Sequence, residues 1–170
     1  MQTTLSTMNK TTTNPAFLEH DHSRCAKEMI RSARLICSER GLRLTPVRMR
    51  VLEILTQSHV PLGAYEVLDQ LATAGFRAQP PVAYRALDFL VSNGLAHRIE
   101  KLNAFVACAN AESGHSPVFM ICGLCRRVAE TTAQTRRSVL DQAARELGFD
   151  IRQTTIELEG RCTQCQGGGG

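Results

Sequence analysis

Residues 80–108 read PPVAYRALDFLVSNGLAHRIEKLNAFVAC. Pro80-Pro81 opens a helix, because proline suits a first turn whose N–H groups have no intrahelical partner. Asn93-Gly94 stops it. Between them Val82, Ala86, Phe89 and Leu90 make the apolar stripe, and Arg85, Asp88 and Ser92 share the wet face. LAHRIE and AFVAC then read as two short strands around a Lys101-Leu102-Asn103 turn. A helix followed at once by a hairpin is the end of a winged helix-turn-helix, in which the last helix enters the major groove and the hairpin is the wing.

Upstream, the chain supplies the helices this reading needs. A short helix from about Ala64 to Ala74 is apolar at Val67, Leu68 and Leu71 and ends at Gly75. Before it, Thr45 caps and Pro46 starts a helix that buries Val47, Val51, Ile54 and Leu55, and Pro61 and Gly63 break the chain after it. The first helix repeats Met29, Ile30, Ala33, Ile36 and Cys37 at helical spacing, with Gly41 as its stop. Residues 1–24, polar and Thr-rich, read as a disordered extension. His20, His22 and Cys25 there could bind metal but read as idle, and Cys37 reads as core. A winged-helix domain over 25–109 follows, although short helices and a hairpin also occur in other small folds.

Downstream, residues 110–116 are small and polar and read as a hinge. Residues 117–166 give a strand (PVFMIC), a turn, a strand (RRVAE), a helix from about Thr132 to Leu147, and a final strand spanning Ile151 to Leu158. This β-β-α-β unit is too short to bury much core alone, so dimerisation through its sheet is expected. Residues 167–170 form a Gly tail. The fold class is therefore α+β: an N-terminal winged helix followed by a small α/β dimerisation domain.

Charge follows the same division. Residues 1–109 carry 13 Lys+Arg against 9 Asp+Glu, and residues 110–170 carry 7 against 7. A basic excess confined to the helical half suits nucleic acid, though a net charge of +4 is ordinary for a soluble protein. No apolar run approaches the ~20 residues of a membrane span, and the N-terminus lacks a secretory core. A cytoplasmic protein without a membrane partner is expected, and its seven cysteines are then more naturally metal ligands than disulfides.

Their spacing supports that. Cys122-x-x-Cys125 and Cys162-x-x-Cys165 can place four thiolates at tetrahedral corners, a closed donor set that prefers zinc and leaves no catalytic position. Such an ion would staple the C-terminal unit. A second set is His97 on the first wing strand, Cys108 ending the second, His115 in the hinge and Glu130 ending a C-terminal strand. These make a four-coordinate mixed site across the domain boundary. The other reading is that His97 and Glu130 are surface residues and Cys108 a small core residue, and spacing alone favours it.

Taken together, RLTPVRMRVLEIL, GAYEVLDQL, PPVAYRALDFL and the paired CxxC motifs resemble the ferric uptake regulator family, and within it the zinc uptake regulator branch, over residues 27–165. The resemblance implies a homodimeric metal-responsive repressor that binds AT-rich inverted repeats in double-stranded DNA. One or two dimers per operator are both compatible with it. It further implies two zinc ions per protomer: structural zinc on Cys122, Cys125, Cys162 and Cys165, and regulatory zinc on His97, Cys108, His115 and Glu130. Tyr84 and Arg85 match the family's Tyr-Arg pair in the recognition helix, and Tyr65 matches a tyrosine that faces DNA. Arg43 and Arg48 flank the Leu-Thr-Pro turn as candidates for phosphate contacts. Two departures stand out. The His-rich run of the iron-sensing branch is missing from SGHSPVFMIC, and Val82 replaces a usual threonine, so a hydroxyl that could cap the helix or touch a phosphate is missing.

The rival readings are a family member sensing iron, manganese, nickel or peroxide, a zinc enzyme, and a thiol oxidoreductase. The Cys108 thiolate favours zinc over harder ions. A zinc deaminase needs a His-x-Glu shuttle, whereas Ser116-Pro117 follows His115. Two CxxC pairs are also better explained by one metal than by two redox centres. Catalysis is not expected.

Overall fold

A computed structural model describes residues 15–18, 21–77, 79–111, 116–132 and 134–167. His20, His115, most of the expected hinge and the last three glycines lie outside the described residues. Four helices come first: α1 (His22–Glu39), α2 (Pro46–Leu55), α3 (Ala64–Thr73) and α4 (Pro80–Ser92). A hairpin follows, β1 (Ala96–Ile99) and β2 (Ala104–Ala107). Then come β3 (Pro117–Cys122), β4 (Val128–Thr132), α5 (Gln134–Glu146), β5 (Ile156–Gly160) and the short α6 (Thr163–Gln166).

The order matches the winged-helix expectation, with local corrections. The extension is not unstructured through residue 24. Pro15–Phe17 forms a 3-10 turn with Ala16 buried, and Asp21 caps α1 by accepting the Ser23 N–H at 2.9 Å. Thr45 caps α2 through the Arg48 N–H, and Pro46 sits in its first turn; such a cap contributes ~1 kcal/mol. α3 has no side-chain cap of that kind, so the Glu66 carboxylate reaches back to accept the Gly63 N–H at 2.7 Å.

The buried stripe of α4 is Ala83, Ala86, Leu87 and Leu90, not the expected Val82, Ala86, Phe89 and Leu90. Both sets fit helical spacing. The rotation brings Phe89 to the helix edge, where the Arg48 guanidinium lies 3.7 Å from its ring centroid. The main core joins Val51, Leu52 and Ile54 of α2, Val67 and Leu71 of α3, and Leu87 and Leu90 of α4, all essentially solvent-free.

In the C-terminal unit the strand order is β4-β3-β5, with β4 antiparallel and β5 parallel to β3. A parallel neighbour requires a crossover, and α5 lies in the connection that leads to β5. The final strand is shorter and later than expected: residues 151–155 are irregular and pairing begins at Ile156. A second, smaller core of Ile99, Phe119, Ile121 and Val128, with Leu102 and Val106 against it, joins the wing to this sheet. Phe119 is fully buried there, which stabilises the contact by roughly 1.5–3 kcal/mol. The two halves are thus packed together. Among the described residues no helix is long and apolar enough to cross a membrane.

Candidate metal centres and nucleic-acid face

The four cysteines of the CxxC pairs converge. The turn after β3 carries Cys122 and Cys125, the segment after β5 carries Cys162 and Cys165, and their ligand atoms all lie within 4.8 Å of one another. The Cys125 and Cys162 sulfurs are 3.8 Å apart. A zinc tetrahedron with bonds of 2.3 Å has sulfur–sulfur edges of about 3.8 Å, so the residues fit the ion. Burial alone would raise the Cys122 thiol, but the N–H groups of Cys125, Cys162 and Leu124 outweigh it and bring it down to about 6. Cys165 is pushed up to about 12, first by its hydrogen bond with Cys162 and then by burial, and burial raises Cys125. Several thiolates at this spacing repel one another unless a cation holds them.

The second cluster is drawn from both halves. His97 on β1, Cys108 just after β2 and Glu130 on β4 bring their ligand atoms within 4.8 Å of one another. His97 Nε2 lies 3.6 Å, and Cys108 Sγ 3.9 Å, from Glu130 Oε1. An ion with zinc bond lengths of about 2.0–2.3 Å needs edges of roughly 3.3–3.6 Å, so a small contraction would complete the fit. The carboxylate is already oriented, since the Ala109 N–H donates to Oε2 at 3.0 Å and the Asn110 amide to Oε1 at 3.4 Å. Burial, and secondarily the Glu130 charge, push the Cys108 thiol up to about 12. Such a thiol ionises readily only when a metal replaces its proton. The remaining residue of the expected set, His115, lies outside the described residues.

Sequence reasoning missed how the sheet grips the wing. Glu130, Phe119 and Glu157 are register partners across β4, β3 and β5, and Val128, Ile121 and Glu159 form the rung two residues along. Residues in such rungs share a face. On the first rung Glu130 belongs to the mixed cluster, Phe119 to the shared core, and Glu157 to the wing turn, whose Glu100 and Lys101 N–H groups donate to its two oxygens at 2.7 and 2.9 Å. On the second, Glu159 pairs with Lys101. Glu159 also lies so close over Gly123 that a Cβ there would meet its Oε1 at 2.9 Å. The period-two pattern of Glu157-Leu158-Glu159 was the available signal, but nothing in it names the wing as partner.

On α4, Tyr84 and Arg85 are exposed, as are Tyr65 at the start of α3 and Arg43 before α2. Arg48 is the least available of the expected DNA contacts, being stacked on Phe89 and donating to the Arg43 carbonyl at 2.6 Å. Two tyrosines at 67% and 44% exposure, one of them next to Arg85 in the chain, offer donors and flat apolar faces of the kind a groove-reading surface needs.

Residues 39–159 match the ferric uptake regulator family. The chain belongs to that family. It is 36% identical over 140 residues to the zinc uptake regulation protein of Escherichia coli K12, covering 82% of each chain. A zinc uptake regulator complexed with zinc and DNA superposes with a TM-score of 0.79 at 35% identity, over 84% of this chain and 95% of that one. The holo structure of XcZur gives 0.75 at 40% identity, over 82% and 98%, and its apo structure 0.50 at 41%, over 84% and 99%.

Proposed function

We propose that this chain is a zinc-responsive transcriptional repressor of zinc uptake and homeostasis genes, acting in the cytoplasm as a homodimer on AT-rich inverted repeats in double-stranded DNA. The observation that carries this is the mixed cluster, whose three described ligands come from the wing and from the sheet of the C-terminal unit. With zinc held by His97, Cys108, Glu130 and His115, the orientation of the DNA-reading helices is fixed before DNA arrives, so their ordering is not charged against binding. The four-cysteine cluster holds a second, structural zinc within the dimerisation unit.

The domain plan proposed is an extension that runs into α1 at His22, a winged helix to 109, a hinge over 110–116, a dimerisation unit over 117–166 and a Gly tail. Val139, Leu147 and Phe149 are 68%, 83% and 66% exposed in the single chain, which is apolar surface that a second copy would cover. A closed dimer then presents two α4 helices to two half-sites. Tyr65, Tyr84, Arg85, Arg43 and Arg48 are the contacts proposed, with Arg85 reading a base edge, most naturally guanine, at ~1–3 kcal/mol of discrimination.

The test pairs zinc stoichiometry with binding to an inverted-repeat duplex. Two zinc ions per protomer, with the more weakly held one lost and restored together with DNA binding, are the expected result. One zinc per protomer, with DNA binding answering instead to iron or manganese, would move the signal to another metal. Arg85→Ala should weaken operator binding roughly 5–150-fold with zinc content and dimerisation intact. Wild-type affinity in that variant would remove Arg85 from the reading surface.

A further inference from the structure

The N-terminal extension supplies none of the described ligands of either cluster, yet the fold gives part of it a seat. Pro15–Phe17 forms a 3-10 turn, for which the fixed φ of proline is suited. The turn packs against β4, an edge strand of the C-terminal sheet and the one that carries Glu130. Ala16 is only 3% exposed there, while Leu18, just beyond the turn, is 41% exposed. The chain then enters α1 at His22, behind the Asp21 cap. A segment tethered to the first helix of the winged half is therefore seated on the sheet of the other half.

β4 is where such a segment has most to hold. An edge strand presents backbone groups that its single neighbour does not pair, and covering them keeps the edge closed. β4 has β3 on one side only. At its start the Val128 N–H donates to the His59 carbonyl, 2.9 Å away in the α2–α3 loop. Ala16 lines the same cavity as His59, Val128 and Glu130. The winged half thus reaches β4 both through that loop and through the turn. A small residue at position 16 lets the backbone of the turn come close, whereas a long charged side chain would have to lift it off.

We propose that residues 15–18 are a clasp between the two halves, which holds β4 to the winged half and so keeps Glu130 within reach of His97 and Cys108. The clasp needs no metal. It favours the same closed arrangement that an ion in the mixed cluster favours, so the two are coupled, and losing the clasp lowers zinc affinity there. The clasp stands on packing alone; only its link to zinc rests on the reading of the mixed cluster given above.

The test uses the full chain carrying Ala16→Arg, with Leu18→Ser as the exposed control. Helical circular dichroism and retention of the four-cysteine zinc verify the fold, and Ala16→Leu serves if the arginine variant loses either. Hydrogen exchange is read by mass spectrometry on the peptide that contains β4, with the mixed cluster left metal-free. Exchange there should be at least roughly fivefold faster in the Ala16 variant, because local opening sets the rate, and close to the parent's in Leu18→Ser. Zinc titration of the mixed cluster against a competing chelator should then show affinity weakened roughly fivefold, the low end of ordinary coupling. Parent-like exchange in the folded Ala16 variant would overturn the clasp. Faster exchange with parent-like zinc affinity would overturn its link to the cluster. A parent chain that takes up no second zinc would count instead against the regulatory reading, and the exchange result would still decide the clasp.

Discussion

The two ligand clusters use the same element of the fold in opposite ways. The four-cysteine cluster closes a loop onto itself: its ligands flank the turn after β3 and the end of β5, all within one unit of about 50 residues. The mixed cluster takes His97 and Cys108 from the wing and Glu130 from β4, so it joins parts that are otherwise held by a small core and a few polar contacts. On the function proposed above, one arrangement adds stability where apolar surface is scarce, and the other adds information about orientation. A closed set of thiolates suits the first task because it is tight. A borderline set suits the second because it is reversible.

The largest effect expected from this contrast is at Cys122. Structural zinc contributes ~10–16 kcal/mol of apparent folding free energy in small zinc-dependent units near neutral pH. Cys122→Ser should therefore unfold the C-terminal unit and abolish the dimer, read by gel filtration and thermal melting. A stable dimer without that zinc would show that the unit's core suffices. Cys108→Ser should behave differently, keeping fold, dimer and one zinc while the zinc-dependent gain in DNA affinity, expected at roughly 5–150-fold, disappears. If Cys108→Ser melted like Cys122→Ser, the division of labour would fail.

Acidity separates the clusters more finely. Protons compete with the metal for each thiol, so affinity rises with pH as long as a ligand is protonated in the metal-free protein. Cys122 is ionised above about 6, while Cys125 and Cys165 are held above the ordinary thiol range, Cys165 at about 12. The closed cluster should therefore release at least two protons per zinc between pH 7.5 and 8.5. In the mixed cluster the Cys108 thiol, at about 12, should release one. Affinity should climb about tenfold per pH unit per released proton, steeper at the closed cluster. Equal slopes from zinc titrations against a competing chelator would mean that the thiols are not protonated as the geometry implies.

What the sequence revealed follows the range over which each signal acts. Local chemistry was legible: Thr45 and Pro46 open α2, CxxC spacing brings paired thiols together, and Gly94 ends α4. The rotation of α4 was not, because Val82 and Phe89 are as apolar as Ala83 and Leu87, and only the surrounding helices choose between them. The late start of β5 escaped for a similar reason, since alternation through Ile151–Leu158 continues past the point where β3 is available to pair. For the mixed cluster, spacing alone left His97 and Glu130 as ordinary surface residues, and the family resemblance supplied the grouping. Glu157 carried no local mark at all, since its partners are two N–H groups 56 and 57 residues away.

That carboxylate supports the smallest effect, and the one most informative about what an ion in the proposed regulatory site would have to do. Glu130 and Glu157 occupy the same rung on either side of Phe119, one committed to the mixed cluster and the other to the wing turn without any metal. If the Glu157 latch contributes to closure, the metal has to supply only the remaining bias. Glu157→Gln keeps the shape but removes the charge and turns one acceptor oxygen into an NH2 that faces a backbone N–H, so one of the two hydrogen bonds is lost and the closed state should lose at least about 1 kcal/mol. Zinc-loaded DNA binding should weaken at least roughly fivefold, with a similar loss of zinc affinity at the mixed cluster, because two interactions that favour one state must be coupled reciprocally. A variant with weaker DNA binding and unaltered zinc affinity would break that linkage and place Glu157 in the wing's own geometry rather than in the equilibrium the metal biases.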